Sequence, residues 1–153
     1  MRWYKAWRQG WCWVSVLALA VGAAGAARAQ GNAPLMLYGG AGHQTFLGCL
    51  QCGFDPASVC NKHGQYGSRF AGGSIWNKLD QYGSRYSDHS PWSRYASEPP
   101  ALVDRQGNFQ GYLTANAYNP QRTRIAELVA LTDQWEKIAD DPEAVADRFC
   151  GRQ

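Results

Sequence analysis

Ser58-Val59-Cys60-Asn61-Lys62-His63-Gly64-Gln65-Tyr66-Gly67-Ser68-Arg69-Phe70 is echoed sixteen residues later by Ser74-Ile75-Trp76-Asn77-Lys78-Leu79-Asp80-Gln81-Tyr82-Gly83-Ser84-Arg85-Tyr86. A looser third copy opens at Ser90-Pro91-Trp92-Ser93-Arg94, and Phe54, Phe70 and Tyr86 each stand four residues before a repeated serine. So many identities at one offset mark tandem units. A unit this short cannot bury its own aromatic residues, so neighbouring units must stack them against one another. Its length accommodates two strands of three or four residues and two turns, a period unlike the common solenoids. Gly67 and Gly83 follow a tyrosine inside the turn and predict a residue with positive φ there. Trp76, Tyr82, Tyr86 and Trp92 have two readings. Any exposed fraction of them forms an aromatic platform for a glycan or peptide, whereas rings of this size more commonly make the core.

On the N-terminal side, Leu35 to Tyr38 and Thr45 to Leu50 read as strands, joined by Gly39-Gly40-Ala41-Gly42 as a hairpin connection. These glycines are not a phosphate loop, since no Lys-Ser/Thr follows them. Further upstream, Arg2, Lys5 and Arg8 precede an apolar run from Trp11 to about Ala24, then small residues ending in Ala27-Arg28-Ala29. This is the three-part pattern of a cleavable export signal over residues 1–29, and its apolar run is too short to span a bilayer comfortably. Four of the fifteen basic residues (Arg2, Lys5, Arg8 and Arg28) and none of the twelve acidic ones fall in that segment. The mature chain, 30–153, therefore keeps eleven basic against twelve acidic residues, a net charge of −1 with histidine neutral. Nucleic acid is disfavoured as a partner, because no basic excess survives. No later stretch is apolar for long enough to cross a membrane.

On the C-terminal side, Pro99-Pro100 punctuates the chain. Ala101-Leu102-Val103 and Phe109 to Thr114 flank Asp104-Arg105-Gln106-Gly107-Asn108, a second hairpin. Asn119-Pro120 predicts the start of a helix running to about Ala139, with Ile125, Leu128, Val129, Thr132, Trp135 and Ala139 on one stripe. Asp133 and Lys137 form a favourable i,i+4 pair on its other side. Asp141-Pro142-Glu143 opens a shorter helix closed by Gly151.

Cys49, Cys52, Cys60 and Cys150 are the mature cysteines. An even number in a small exported domain argues for disulfides, and of the three possible pairings the expectation is Cys60 with Cys52 or Cys49, the remaining one going to Cys150. The alternative is zinc held by Cys49, Cys52, Cys60 and His63, whose spacing suits a tetrahedral ion. Against it, the Cys60 position is taken by Trp76 and Trp92 in later units, and that of His63 by Leu79 and Tyr95. A thioredoxin-like role for Cys49-Leu50-Gln51-Cys52 requires a strand-to-helix context that Gly53-Phe54-Asp55-Pro56 does not supply. Asp88-His89-Ser90 contains acid, base and nucleophile, but adjacency is not triad geometry, and Ser90 belongs to the serines that bond a turn backbone. His43 reads as an exposed turn residue. Among Asp55, Asp80, Asp88 and Asp104, no spacing singles out two.

The repeat motif, preceded by Leu47-Gly48-Cys49-Leu50-x-Cys52 and followed by Pro99-Pro100-x-Leu102-Val103-Asp104-x-x-Gly107-x-Phe109-x-Gly111, resembles a group of small exported bacterial proteins with no assigned activity. The resemblance covers roughly 47–116. It implies common descent and export, and carries no catalytic residues with it.

The expectation is an α+β domain: a hairpin and repeat region (54–96), a second hairpin (101–114) and a tail of one or two helices (120–150). The function class is a non-enzymatic periplasmic or secreted module, without cofactor, that binds or supports something in the envelope, an envelope glycan or protein. The competing class is a metal-dependent or thiol enzyme using the Cys49/Cys52/Cys60/His63 cluster. N-terminal sequencing of the exported product is expected to begin at or next to Gln30, because Ala27 and Ala29 meet the small-residue requirement for cleavage. A membrane-bound product that retains Met1 would refute the signal.

Overall fold

The computed structural model describes residues 33–151, so the export segment and its cleavage site lie outside the described residues. Strands β1 (Leu35–Gly39) and β2 (Thr45–Leu50) form the expected first hairpin. A 3₁₀ turn at Ala41–His43 joins them, and Gly40 (φ 74°) and Gly42 (φ 68°) supply the left-handed backbone it requires. Strands β3 (Ala101–Val103) and β4 (Phe109–Tyr112) form the second hairpin, and the four strands make an antiparallel sheet in the order β2-β1-β3-β4. Asp104 organises the β3–β4 loop by accepting from the Asn108 side chain and from the backbone N–H groups of Asn108 and Gln106. These bonds, the Asn108 side chain's first, hold its carboxyl below the usual aspartate value.

The connection from β2 to β3 is the repeat region, and it contains no strand. The two-strand expectation for each unit gives way to a ribbon of consecutive turns. The N–H of Asn61 bonds the carbonyl of Ser58, Gly64 bonds Asn61, Ser68 bonds Gly64, Ala71 bonds Ser68, and Ser74 bonds Ala71. The next unit repeats the series from Ser74 through Asn77, Asp80, Ser84 and Ser87 to Ser90. Steps of three, three, four, three and three residues make up the sixteen. Most of the residues that open these turns carry side-chain oxygens, Gly64 and Ala71 excepted. Ser58, Ser68, Ser74, Ser84, Ser87, Ser90 and Ser93 each accept from the N–H two residues on, and Asn61 and Asn77 do the same. Such local bonds compete with strand formation and here prevail over it.

Successive coils stack on a buried ladder. Trp76 and Trp92 are 1 % and 0 % exposed, and their rings lie 24° from parallel with centroids 5.4 Å apart. Trp76 Nε1 donates to the carbonyl of Val59 at 2.8 Å, and Trp92 Nε1 donates to that of Ile75, one coil back in each case. Tyr82 joins the same core at 6 % exposed. Gly67 and Gly83 do not have positive φ. What requires glycine is proximity: a Cβ at Gly83 would lie 2.2 Å from the Asn77 carbonyl oxygen, and one at Gly67 2.3 Å from that of Asn61.

The tail holds three helices: α1 (Ala126–Thr132), α2 (Trp135–Asp140) and α3 (Pro142–Cys150). Asn119 caps a turn, its side chain accepting from the Gln121 N–H, and so does not start the predicted long helix. The helix also breaks at Asp133, whose carboxylate pairs with Arg122 at 2.7 Å and not with Lys137. The same guanidinium donates to Thr132 Oγ1 at 2.6 Å, tying the end of α1 to the chain that leaves β4. Asp141 caps α3 as expected, accepting from the Ala144 N–H. Leu128, Leu131, Ile138, Val145 and Phe149 enter the one core shared with the sheet and the ladder. The ribbon's cations hold the tail in place. Lys62 pairs with Asp147 at 2.6 Å, Arg69 with Glu143 at 2.7 Å, and Lys78 Nζ donates to the Asp140 carbonyl. The Trp135 ring lies 5.1 Å from the Arg85 guanidinium and 5.4 Å from that of Arg94.

Trp76→Ala is expected to cost about 3–5 kcal/mol, since it removes a buried indole and an inter-coil hydrogen bond together. Gly83→Ala should cost about 1–3 kcal/mol by overpacking the Asn77 carbonyl, although its φ suits alanine. Denaturant midpoints left unchanged by both would disprove the stacked-coil account.

Candidate functional site

The aromatic residues singled out from the sequence separate once the coils are built. Trp76, Tyr82 and Trp92 belong to the core, so the four-ring platform does not exist; Tyr86 alone of the four is exposed. The rings that face solvent are others. Phe54, Phe70, Leu79, Tyr86 and Tyr95 all project from the ribbon, with Phe70 79 % and Tyr86 87 % exposed. Within each coil, the second and third positions (Val59-Cys60, Ile75-Trp76, Pro91-Trp92) point inward or pack against the core. The fifth and sixth (Lys62-His63, Lys78-Leu79, Arg94-Tyr95) point outward. Phe70 and Tyr86, at the thirteenth position, also point outward.

These outward residues form one line. Phe54, His63, Phe70, Leu79, Tyr86 and Tyr95 follow one another at steps of nine and seven residues. Phe54 and His63 flank one hollow, His63 and Phe70 the next (about 430 Å³), Phe70 and Leu79 a third (about 310 Å³), and Leu79 and Tyr86 a fourth (about 200 Å³). The second and fourth hollows use equivalent positions of successive coils: Lys62, Ser68, Arg69 and Phe70 in one, Lys78, Ser84, Arg85 and Tyr86 in the other. Residues of α2 and α3 close the far wall: Ala139 and Asp140, then Glu143, Ala146 and Asp147. The ribbon wall is thus basic and the helix wall acidic, and the pairs Lys62–Asp147 and Arg69–Glu143 join them. The hydrogen bond to Asp147 raises the Lys62 pKa above its ordinary value, which keeps the amine charged.

The cysteines pair differently from the expectation. Cys49 bonds Cys52, three residues on, with Cα atoms 6.0 Å apart, and Cys60 bonds Cys150, ninety residues away, with Cα atoms 5.5 Å apart. Cys60 stands in the ladder where later coils carry tryptophan, so the first coil is joined to the end of α3 by a covalent bond in place of an indole contact. The zinc set is not assembled: its three cysteines are divided between two disulfides, and His63 lies exposed on the stripe. No group of three or more His, Cys, Asp or Glu side chains suited to a metal occurs among the described residues. The Cys49–Cys52 bridge follows β2 and leads into turns, not into a helix.

The Asp88-His89-Ser90 set is likewise dispersed. Ser90 is fully buried with Oγ accepting from the Trp92 N–H, while His89 Nδ1 faces Glu98 at 3.4 Å. His43 is half-buried, contrary to expectation; its Nε2 lies 2.9 Å from the Pro99 carbonyl and its ring stacks on Tyr112. Sequence reasoning missed the outward line, although its signal was present. The four-residue offset of Phe54, Phe70 and Tyr86 marked the repeat without showing which way those rings face. No protein family, curated protein or solved structure matches the chain.

The two bridges should differ in energetic weight. Chain-entropy reasoning assigns about 4–5 kcal/mol to the long Cys60–Cys150 loop and about 2 kcal/mol to the short Cys49–Cys52 loop. Cys60→Ser/Cys150→Ser is therefore expected to lower stability roughly twice as much as Cys49→Ser/Cys52→Ser, with His63→Ala close to neutral. Thiols that react in the unreduced native protein, with one zinc per chain, would overturn the disulfide assignment.

Proposed function

We propose that the protein is exported and acts as a non-enzymatic binding module of the cell envelope or extracellular space, contacting an extended envelope polymer along the outward line of the ribbon. The observation that carries this reading is the line itself: large apolar side chains projected at fixed steps from a frame held by two disulfides and a tryptophan ladder. Contiguous exposed apolar groups on a small domain mark interaction surfaces more often than they serve stability. Export is supported by the signal-like first 29 residues and by two disulfides, which persist in oxidising compartments. No helix among the described residues is long and apolar enough to cross a membrane. The metal-dependent alternative loses its ligand set, because Cys49, Cys52 and Cys60 are divided between two bridges.

Co-sedimentation with isolated bacterial cell-envelope fractions tests this reading. The mature protein is expected to pellet with them, and Phe70→Ser/Tyr86→Ser to remain in the supernatant with an unchanged melting temperature, since both rings are exposed. Equal pelleting of the two forms, or none of either, would reject the line as the contact surface.

A further inference from the structure

We infer that the polymer is an uncharged linear polysaccharide, laid along the line so that successive sugar rings stack on Phe54, Phe70 and Tyr86 and send hydroxyls into the hollows between. This rests on the binding-module reading above and specifies its ligand. Three observations select the chemistry. First, the groove is electrically self-satisfied. Lys62 is paired with Asp147 and Arg69 with Glu143, Lys78 bonds the Asp140 carbonyl, and Arg85 lies between the Tyr86 and Trp135 rings. A polyanion or an anionic lipid surface would meet no excess of positive charge along this groove and would face the carboxylates of Asp147 and Glu143, whereas a neutral polyol is indifferent to both.

Second, the ribbon has no edge to offer a peptide. Its turn-opening N–H groups bond the carbonyl of the preceding turn, and further N–H groups bond the serine and asparagine caps. Addition of a strand, the usual route to an extended peptide, is thus closed off. Third, the line alternates projecting faces with small polar hollows. Each of the two equivalent hollows is walled by a serine hydroxyl, a lysine and an arginine beside a flat ring. Apolar faces with a few convergent polar groups are the composition of small-molecule subsites, and the electron-rich face of an aromatic ring attracts the polarised C–H groups of a sugar. Because the coils repeat, the subsites repeat with them. Lys62, Ser68, Arg69 and Phe70 of one coil are matched by Lys78, Ser84, Arg85 and Tyr86 of the next, so a chain with a regular repeat can meet equivalent groups.

A neutral-glycan array followed by titration of the best linear oligosaccharide, from disaccharide to hexasaccharide, tests the inference on the full mature protein. The expected result is affinity that rises with chain length, persists in high salt, and falls about tenfold each in Phe70→Ala and Tyr86→Ala. Arg105→Ala, on the distant β3–β4 loop, should leave it unchanged. The inference is overturned if no neutral glycan binds while ring-dependent envelope binding persists, above all if protease treatment of the envelopes abolishes it. Binding to anionic phosphatidylglycerol vesicles, or self-association lost in the same variants, would equally replace the glycan by a lipid surface or a second copy. If ring-dependent envelope binding is also absent, the binding-module reading itself fails.

Discussion

Two indole N–H groups that reach back one coil set the architecture of this protein. A ribbon of turns satisfies its backbone internally, so no strand ladder joins one coil to the next. Trp76 to the Val59 carbonyl and Trp92 to the Ile75 carbonyl supply that connection, and the stacked indoles add the apolar area that makes it stable. The bonds also fix register. A slip of one residue would take the Trp76 indole N–H away from the Val59 carbonyl and leave a buried carbonyl unpaired, a penalty of about 1–3 kcal/mol before any loss of packing. The first coil has no indole, and Cys60 there takes the same inward position with Cys150 as its partner. The ladder thus ends in a covalent bond that carries the helical tail with it.

The exposed line follows from the same periodicity. Once the second and third positions of each coil are committed to the core, the turns between them direct the sixth and thirteenth positions to solvent. The tail could have covered those positions with its apolar residues. It engages the ribbon's cations instead, through Asp147, Glu143 and the Asp140 carbonyl, and lays Trp135 against Arg85 and Arg94. Exposed ion pairs of this kind contribute little to stability, since solvent screens them. Their effect is geometric: they set the tail beside the groove without filling it.

Much of this was legible in the residues. The sixteen-residue offset, both hairpins and the Asp141-Pro142 helix start are local signals, and local signals survive folding. The conformation of each coil was encoded too, in Ser58, Asn61 and Ser68 and, sixteen residues on, Ser74, Asn77 and Ser84. The length of the unit leaves room for two short strands, but the capping chemistry of its serines and asparagines prevails in the fold. Gly67 and Gly83 were read from the commonest reason for a turn glycine, whereas their constraint comes from a carbonyl six residues earlier that only the folded coil brings near. The long helix expected from Asn119 to Ala139 is shortened at its start, where Asn119 caps a turn and Arg122 bridges to Tyr112, and interrupted at Gln134, whose backbone leaves helical geometry. Disulfide partners ninety residues apart, and the inward or outward facing of each ring, depend on the closed fold and leave no local trace.

The constraints that make the fold hard to read also favour its use as a binding surface. Ordering a free side chain or loop at an interface costs about 0.5–1.5 kcal/mol for each immobilised group, and an extended contact must meet that cost at every subsite. Here the backbone at Phe70, Tyr86 and Tyr95 is already fixed by the turns around it and by a serine cap that holds each ring's own N–H. Arg69 lies over the Phe70 ring, 4.7 Å from its centre, and Arg85 over that of Tyr86 at 5.6 Å. Folding has therefore already restricted most of the freedom that binding would otherwise remove. A weak contact repeated along such a frame accumulates affinity with ligand length, because each further ring engages at a small additional entropic cost.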